Sequence, residues 1–181
     1  YALAAAGASV TVVDPRSDRL ALAFALGALE ALEPPVDEPL SAALVRLRSR
    51  RPDVVFEVSG TESGLRAALD SVAPGGRVVA VGLQEAPRDV DVRALTLREV
   101  ELLGTSAHCF ARDLPEALRL LASRPVPWGD VAPLAYPLEE VVSAALAPLA
   151  EGRSEQVKYL IDPHIDRVRP TRCQAGVTAS P

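Results

Sequence analysis

The sequence predicts an α/β fold built on a mostly parallel sheet. Short β-branched runs at residues 9–13, 53–58 and 77–82 are typical of buried strands. Segments with apolar residues at helical spacing separate these runs. Because strands that alternate with helices of about ten residues form right-handed βαβ crossovers, a doubly wound, Rossmann-like sheet is the expected arrangement.

The individual elements are predicted from periodicity and from their end signals. Residues 1–6 favour helix throughout, and Gly7 suits the left-handed position that follows a helix end. The strand at 9–13 stops at Asp14, and Ser17 can cap the next helix. By the same criteria, helices are predicted at 18–26, 40–49, 62–72, 114–122 and 138–149, and further strands at 28–32, 53–58, 77–82, 97–103, 131–136 and 157–161.

The end of the chain differs in composition from the rest. Residues 163–181 mix Pro, Arg, Thr and Ser without hydrophobic periodicity. Such a segment cannot bury enough apolar surface to offset its ordering entropy, so it is predicted to be a disordered tail. The predicted domain therefore covers residues 1–162.

Composition excludes several classes of function. The 181 residues are 49% apolar and 24% charged, as in a soluble globular protein, and the net charge of −5 offers no footprint for nucleic acid. No apolar run approaches the roughly 18 residues of a membrane span. The two cysteines, Cys109 and Cys173, are too few for a disulfide scaffold. We therefore expect a cytoplasmic protein that binds neither nucleic acid nor membrane.

Small and acidic residues follow the predicted strands. Ligands of an open parallel sheet lie beyond the carboxyl ends of its strands. The candidates at these ends are Asp14, Ser59-Gly60-Thr61, Val81-Gly82-Leu83 and Gly104-Thr105-Ser106. Glycine there allows a ring or a sugar to approach the backbone closely.

Asp14 is the most informative of these residues. Its carboxylate could accept both hydroxyls of an adenosine ribose and would repel a 2′-phosphate. The alternative is that Asp14 only forms the turn or caps the helix that follows. Arg16 and Arg19 could pair with Asp14, flank the adenosine, or simply be solvated.

The phosphate-binding part of such a site is not found in the sequence. A glycine-rich loop is expected about 20 residues before the acidic residue, but only 13 residues precede Asp14. The chain also contains no methionine and opens within an apolar helical stretch. We therefore expect a fragment whose sheet lacks its first strand and phosphate loop. Because that strand is central in the order 3-2-1-4-5-6, we expect marginal stability or direct pairing of residues 10–13 with 54–58.

Other chemistry is weakly supported. His108, Cys109, His164 and Cys173 do not have the spacing of a zinc site. Ser59 and Ser106 are not part of a Ser-His-acid pattern, so nucleophilic catalysis is not indicated.

Several segments together resemble medium-chain zinc-type alcohol and polyol dehydrogenases, with the sorbitol, butanediol and threonine dehydrogenase branch nearest. The resemblance covers about residues 1–162. It rests on AGASVTVVD at 6–14, DVVFEVSGT at 53–61, APGGRVVAVG at 73–82, ELLGT at 101–105 and Val157-Lys158.

The resemblance implies a role for particular residues in binding NAD rather than NADP. Asp14 would hold the adenosine ribose with Arg19 beside it, and Lys158 would reach the pyrophosphate. The other implied coenzyme contacts are Val58, Ser59 and Gly60 on the adenine and ribose side, Val81, Gly82 and Leu83 bordering the nicotinamide, and the Thr105 backbone. The catalytic zinc, its ligands and the proton relay would lie in an N-terminal domain outside this chain.

The implied function is hydride transfer between a small alcohol and NAD. The chain alone is expected neither to oxidise alcohols nor to bind NAD tightly, because the phosphate loop would be missing. A homo-oligomer could form through residues 102–103. The alternatives are a methyltransferase that uses S-adenosylmethionine, a zinc-independent quinone reductase, and a non-catalytic remnant.

Overall fold

The structure is a computed structural model that describes residues 1–48, 50–107, 109–154 and 156–171. It divides into two compact units, one formed by Tyr1–Glu33 with the described residues from Ala111 onward and the other by Pro34–Phe110. Within the described ranges, no helix is both long and apolar enough to cross a bilayer.

The elements alternate between helix and strand through most of the chain. In order they are α1 (Ala2–Ala5), β1 (Thr11–Val13), α2 (Ser17–Ala25), β2 (Glu30–Leu32), α3 (Leu40–Arg48), β3 (Val54–Glu57), α4 (Glu62–Ser71), β4 (Arg77–Ala80), α5 (Val92–Arg98), β5 (Glu101–Gly104), α6 (Phe110–Ser123), β6 (Leu134–Tyr136), α7 (Ala147–Ala150), β7 (Leu160–Ile161) and β8 (Arg169–Pro170).

The unit containing residues 1–33 has two small sheets. β1 and β2 pair in parallel with Thr11 opposite Glu30, and the Thr11 hydroxyl donates to the Glu30 carboxylate at 3.0 Å. β6 lies between β7, which is parallel to it, and β8, which is antiparallel. Tyr136 on β6 is buried and packs against the ring of Tyr159.

The unit containing residues 34–110 is a three-stranded parallel sheet in the order β3-β4-β5. Val78 on β4 and Val72 after α4 are fully buried, and with Ala68 they form the centre of the core. Half-buried Val55 and Val100 pack against this centre. β-branched residues fit this position because they pack well on a pleated surface.

The strand orders confirm the predicted fold class. The pair β2-β1 and the sheet β3-β4-β5 each consist of neighbouring parallel strands joined by helices, as in a doubly wound fold. Every pairing within these two sheets is parallel. In the described part of the chain β1 and β3 belong to different sheets, so of the two expected alternatives the direct pairing of residues 10–13 with 54–58 is not formed, and marginal stability stays a prediction.

The predicted strand at 97–103 is wrong in its first half. Residues 92–98 form α5, because the Asp91 carboxylate caps the helix by accepting from the Ala94 amide at 2.9 Å. Glu99, with a φ of 54°, then reverses the chain in a left-handed conformation, and β5 begins at Glu101. The end of α5 and the left-handed turn therefore occupy the first residues of the predicted strand.

The C-terminal prediction also needs correction. Residues 163–171 were expected to be unstructured, but β8 lies within them and pairs with β6 at Leu134 and Ala135. The Arg169 guanidinium donates to the Asp162 carboxylate at 2.7 Å, and the Thr171 amide donates to Pro133 at 2.8 Å. Residues 172–181 lie outside the described residues.

Two smaller differences concern helices. The cap of α2 is Arg16, which makes no side-chain capping bond, and the expected cap Ser17 is the first helical residue. The helix predicted over 138–149 divides into a 3₁₀ turn (Leu138–Glu140), a π-helical turn (Val141–Leu146) and α7.

Candidate coenzyme site at the carboxyl ends of the strands

Asp14 lies immediately after β1, at the carboxyl end of the strand. Its backbone amide donates to the Leu32 carbonyl at 3.3 Å, which extends the pairing with β2. Its Oδ1 accepts the Arg16 amide at 2.9 Å, so the carboxylate does form the turn, as the alternative interpretation held. Among the described residues, this amide is the carboxylate's one hydrogen-bond partner, which leaves Oδ2 available to a ligand hydroxyl.

The neighbouring arginines bind protein groups rather than Asp14. The Arg16 guanidinium donates to Asp18 and to the Ser154 carbonyl, and its hydrogen bond with Asp18 holds the pKa of that carboxyl below its ordinary value. Arg19, whose side chain is 20% exposed, donates to the Gln156 carbonyl at 2.9 Å. The two arginines therefore connect the start of α2 to the segment that leads to Lys158, which is itself exposed.

The loops that follow β3 and β4 are in very close contact. A Cβ added to Gly82 would lie 2.2 Å from the Gly60 amide nitrogen and 2.7 Å from the Gly60 Cα. Gly60 has a φ of +68°, and a Cβ there would lie 2.6 Å from the Leu83 carbonyl oxygen. Both glycines are therefore required by backbone packing between the two loops.

Glu57, the last residue of β3, organises this junction and was missed by the sequence analysis. Its side chain is buried, and its Oε1 accepts the amides of Ser59 at 2.7 Å and Gly60 at 3.1 Å as well as the Ser59 hydroxyl. Its backbone carbonyl accepts the amides of Val81 at 2.8 Å and Gly82 at 2.9 Å. A carboxylate in an otherwise apolar strand was the signal that could have drawn attention to it.

The hydroxyls that follow Glu57 are used within the loop. Ser59 Oγ lies 2.9 Å from Thr61 Oγ1 and accepts the Thr61 amide at 3.2 Å. Thr61 caps α4 by accepting the Gly64 amide at 3.0 Å. The predicted ligand contact through Ser59 is therefore restricted, since its hydroxyl already has partners.

The apolar residues of these loops face solvent. The exposed fractions are 69% for Val58, 46% for Val81 and 93% for Leu83. Thr105 after β5 is also exposed, but its amide donates to the Ala80 carbonyl at 3.2 Å. The Thr105 amide is therefore already used, and the Thr105 carbonyl is the backbone group left for the implied coenzyme contact. Exposed apolar side chains grouped at strand ends are typical of a surface that a flat ring can cover.

The predicted site residues fall into two groups. Asp14, Arg19 and Lys158 belong to the unit that contains residues 1–33. The structure brings the loops after β3 and β4 together in the other unit, with Thr105 at the end of the neighbouring strand.

A charged cleft of about 470 Å³ lies elsewhere in the unit of residues 34–110. Residues of α4 and α5 line it, and none of the predicted coenzyme contacts does. Its Arg98 donates to the carbonyls of Leu69 and Val72, and its Arg88 pairs with Glu62 at 3.7 Å. Because these cations are already bonded to protein groups, the cleft is a poor candidate for the site.

Metal ligands are not grouped in the described parts of the chain. Within those ranges, no three His, Cys, Asp or Glu side chains are placed to hold a metal ion. The His164 amide donates to Asp162, while His108 and Cys173 lie outside the described residues. The residues in hand therefore do not fit a zinc centre.

Comparison with known proteins finds relatives over most of the chain. A sorbitol dehydrogenase from Ovis aries is 31% identical over 148 residues, which cover 79% of this chain and 40% of that protein. The 2-dehydro-3-deoxy-L-galactonate 5-dehydrogenase of Pseudoalteromonas atlantica is 28% identical over 157 residues, covering 86% of this chain and 45% of that protein. The crystal structure of 2R,3R-butanediol dehydrogenase from Bacillus subtilis matches with a TM-score of 0.78 at 26% identity, over 90% of this chain and 46% of that one.

These matches confirm the resemblance identified from the sequence. The chain spans less than half the length of these relatives. Residues 1–123 match the family described as zinc-binding dehydrogenase. The protein therefore belongs to the zinc-binding dehydrogenase family.

Proposed function

We propose that the chain is the coenzyme-binding part of an NAD-dependent alcohol or polyol dehydrogenase. The observation that carries the proposal is the position of Asp14, whose carboxylate stands at the carboxyl end of a parallel strand with Oδ2 available among the described residues. In doubly wound folds this is where an acidic residue accepts the ribose hydroxyls of NAD. The relatives named above are dehydrogenases of alcohols and sugar acids, which supports the same class.

The surroundings of Asp14 favour NAD over NADP. A 2′-phosphate would be repelled by the carboxylate and would need a nearby cation as a partner. Arg19 instead donates to the Gln156 carbonyl, and the Arg16 guanidinium is bonded to Asp18 and Ser154. Among the described residues of this turn, both guanidinium groups are therefore already bonded to protein groups, and neither is placed to neutralise the 2′-phosphate of NADP.

In the reaction we propose, the alcohol carbon loses a hydride to the nicotinamide ring, and the hydroxyl proton leaves to solvent. The bound coenzyme supplies the hydride acceptor, and this chain supplies its orientation. Asp14 would fix the ribose, Lys158 would neutralise pyrophosphate charge, and exposed Val81 and Leu83 would cover the ring. We place the zinc ligands and the proton relay outside this chain.

We also propose that the protein forms a homo-oligomer through β5 and is located in the cytoplasm. β5 pairs with β4 on one side, and Leu102 and Leu103 are 37% and 44% exposed. An exposed apolar edge strand is suited to pairing with a second copy, so we propose a homo-oligomer. The low cysteine content fits the reducing cytoplasm.

Substitution of Asp14 tests the function directly. NADH and NADPH are titrated against the full chain, up to millimolar coenzyme, by nicotinamide fluorescence. We expect Asp14→Ala to weaken NADH binding by at least about 10-fold, since a hydrogen bond to a charged group is worth about 1.5–3 kcal/mol. NADPH binding should weaken less or improve, because the repelling charge is gone. Asp37→Ala, which removes an exposed loop carboxylate, is the control and should leave both affinities unchanged.

Two results would contradict the proposal. One is a parental chain that binds neither nucleotide at any concentration reached. The other is an Asp14→Ala chain whose NADH affinity and preference over NADPH equal those of the parental chain.

A further inference from the structure

Glu57 is a buried carboxylate that is held by amides and hydroxyls. It is 4% exposed, and among the described residues no arginine, lysine or histidine is bonded to it. Burial of a charged group is costly unless hydrogen bonds replace its water. Here the Ser59 amide, the Ser59 hydroxyl and the Gly60 amide provide that replacement at Oε1.

The same residue also contacts the second loop. The Gln84 amide nitrogen lies 3.5 Å from Glu57 Oε2, and the backbone amides of Val81 and Gly82 donate to the Glu57 carbonyl. A Cβ at Gly82 would lie 2.9 Å from Oε2, so no side chain separates the carboxylate from this loop. Glu57 is therefore bonded to both loops that carry the exposed apolar candidates for the coenzyme.

The start of α4 completes the environment of the carboxylate. A Cβ at Gly64, in the first turn of the helix, would lie 2.8 Å from Glu57 Oε1 and 2.2 Å from the Ser59 hydroxyl. The N-terminus of a helix carries partial positive charge, which favours a carboxylate at this position. Thr61 caps the helix, and its Oγ1 lies 2.9 Å from the Ser59 hydroxyl, which donates to Glu57. The start of α4 is therefore linked to Glu57 through Ser59.

A residue that served packing alone would not need this chemistry. An apolar side chain at this buried end of β3 would avoid the desolvation cost that a carboxylate carries. What the carboxylate adds is direction, since its oxygen fixes the amides of Ser59 and Gly60 at hydrogen-bonding distance. Val58, between Glu57 and these amides, is thereby held with its side chain 69% exposed.

We propose that Glu57 is the residue that positions the two coenzyme-contacting loops, through its carboxylate for the loop after β3 and its carbonyl for the loop after β4. This inference rests on the proposed function, because it assigns the loops to the coenzyme. Glu57 itself is buried and does not touch the nucleotide. Its effect on binding passes through Val58, Val81 and Leu83.

The test compares Glu57→Gln and Glu57→Asp in the full chain. The glutamine has the same shape as glutamate, but one of its two terminal atoms is an NH₂ group, which donates and cannot accept. This NH₂ group must face either the backbone amides of Ser59 and Gly60 or the side-chain NH₂ of Gln84. In both orientations a donor therefore faces a donor. The aspartate retains the charge on a shorter side chain. Hydrogen exchange of the Ser59 and Gly60 amides reports the loop, and NADH titration reports the coenzyme.

We expect Glu57→Gln to accelerate exchange at both amides and to weaken NADH binding by about 10-fold, which corresponds to the loss of one charge-assisted hydrogen bond. Glu57→Asp should recover part of both losses. Glu62→Gln, which neutralises an exposed carboxylate in the first turn of α4, is the matched charge control and should change neither. Val72→Ala, which destabilises the fully buried core, should leave NADH affinity unchanged well below its melting temperature.

The outcomes separate this inference from the proposed function. If the parental chain binds NADH and Glu57→Gln binds it equally well, the inference is overturned and the function stands. If Val72→Ala weakens binding as much as Glu57→Gln, global stability explains the loss and the inference is again overturned. If the parental chain does not bind NADH, the function fails together with the coenzyme role of Glu57, whatever the exchange rates show. If Glu57→Gln does not fold, Glu57→Asp is compared with the parental chain on the same two readouts. A partial loss on both is then expected, and unchanged NADH affinity would overturn the inference.

Discussion

Substitution of Gly82 by alanine would test the contact between the loops after β3 and β4. Gly82 does not have a positive φ, so the alanine backbone is not strained and the whole cost is steric. The new Cβ would lie 2.2 Å from the Gly60 nitrogen and 2.9 Å from Glu57 Oε2, whereas ordinary contact begins at 3.4 Å. The two loops must therefore separate by about 1 Å, as expected for an overpacked site. That movement breaks the hydrogen bond from the Gly82 amide to the Glu57 carbonyl, which joins the two loops at 2.9 Å.

The expected loss of stability combines these two effects. Overpacking costs about 1–3 kcal/mol, and leaving a buried backbone group without its hydrogen-bond partner costs about as much again. The total is at least about 2 kcal/mol, which lowers the melting temperature of a domain of this size by at least about 4 °C.

Thermal unfolding followed by circular dichroism measures this loss. The matched control is Gly104→Ala in the same unit, where a Cβ meets nothing within 4 Å. A Gly82→Ala chain that melts within about 2 °C of the parental chain would show that the backbones of the two loops are not in close contact at Gly60 and Gly82.

Two further predictions concern local contacts. Thr61→Ala should destabilise the chain by about 1 kcal/mol in urea unfolding, because the Gly64 amide loses its cap; Thr61→Ser should retain most of that stability, and equal values for the two variants would contradict the cap. The His164 amide, with Arg169, holds the pKa of Asp162 below its ordinary value, so this carboxylate stabilises the β8 region above about pH 4 and the contribution disappears as pH falls through the lowered pKa. The protection factor of the Thr171 amide, which is its intrinsic exchange rate at each pH divided by the observed rate, should fall over that acidic range in the parental chain and show no such step in Asp162→Asn.

The parts of the fold that the sequence predicts best are those determined by local pattern. The predicted strand 53–58 contains β3, and the predicted 77–82 contains β4, because β-branched runs between turn residues leave few alternatives. α4 agrees with its prediction to within one residue for a similar reason, since Thr61 caps its start. These elements also position most of the candidate site.

The errors arise where a distant or competing contact decides the structure. β8 forms because Arg169 and Thr171 reach Asp162 and Pro133, residues that no local pattern connects to them. At α5, the helix that Asp91 caps extends over residues 97 and 98, where the predicted strand begins. In both places the deciding interaction is a hydrogen bond rather than a hydrophobic period.

The glycines at the strand ends have two different physical explanations, and this affects how the coenzyme site should be interpreted. Small residues there were taken to make room for a ligand. Gly60 and Gly82 are instead required by backbone contact between loops, whereas Gly104 has open space around it. The proposed coenzyme binding therefore depends on the Asp14 carboxylate and on the exposed side chains of the two loops, rather than on space left by these two glycines. Because a glycine between two loops and a glycine facing a ligand look the same in a sequence, only the distances around each one distinguish them.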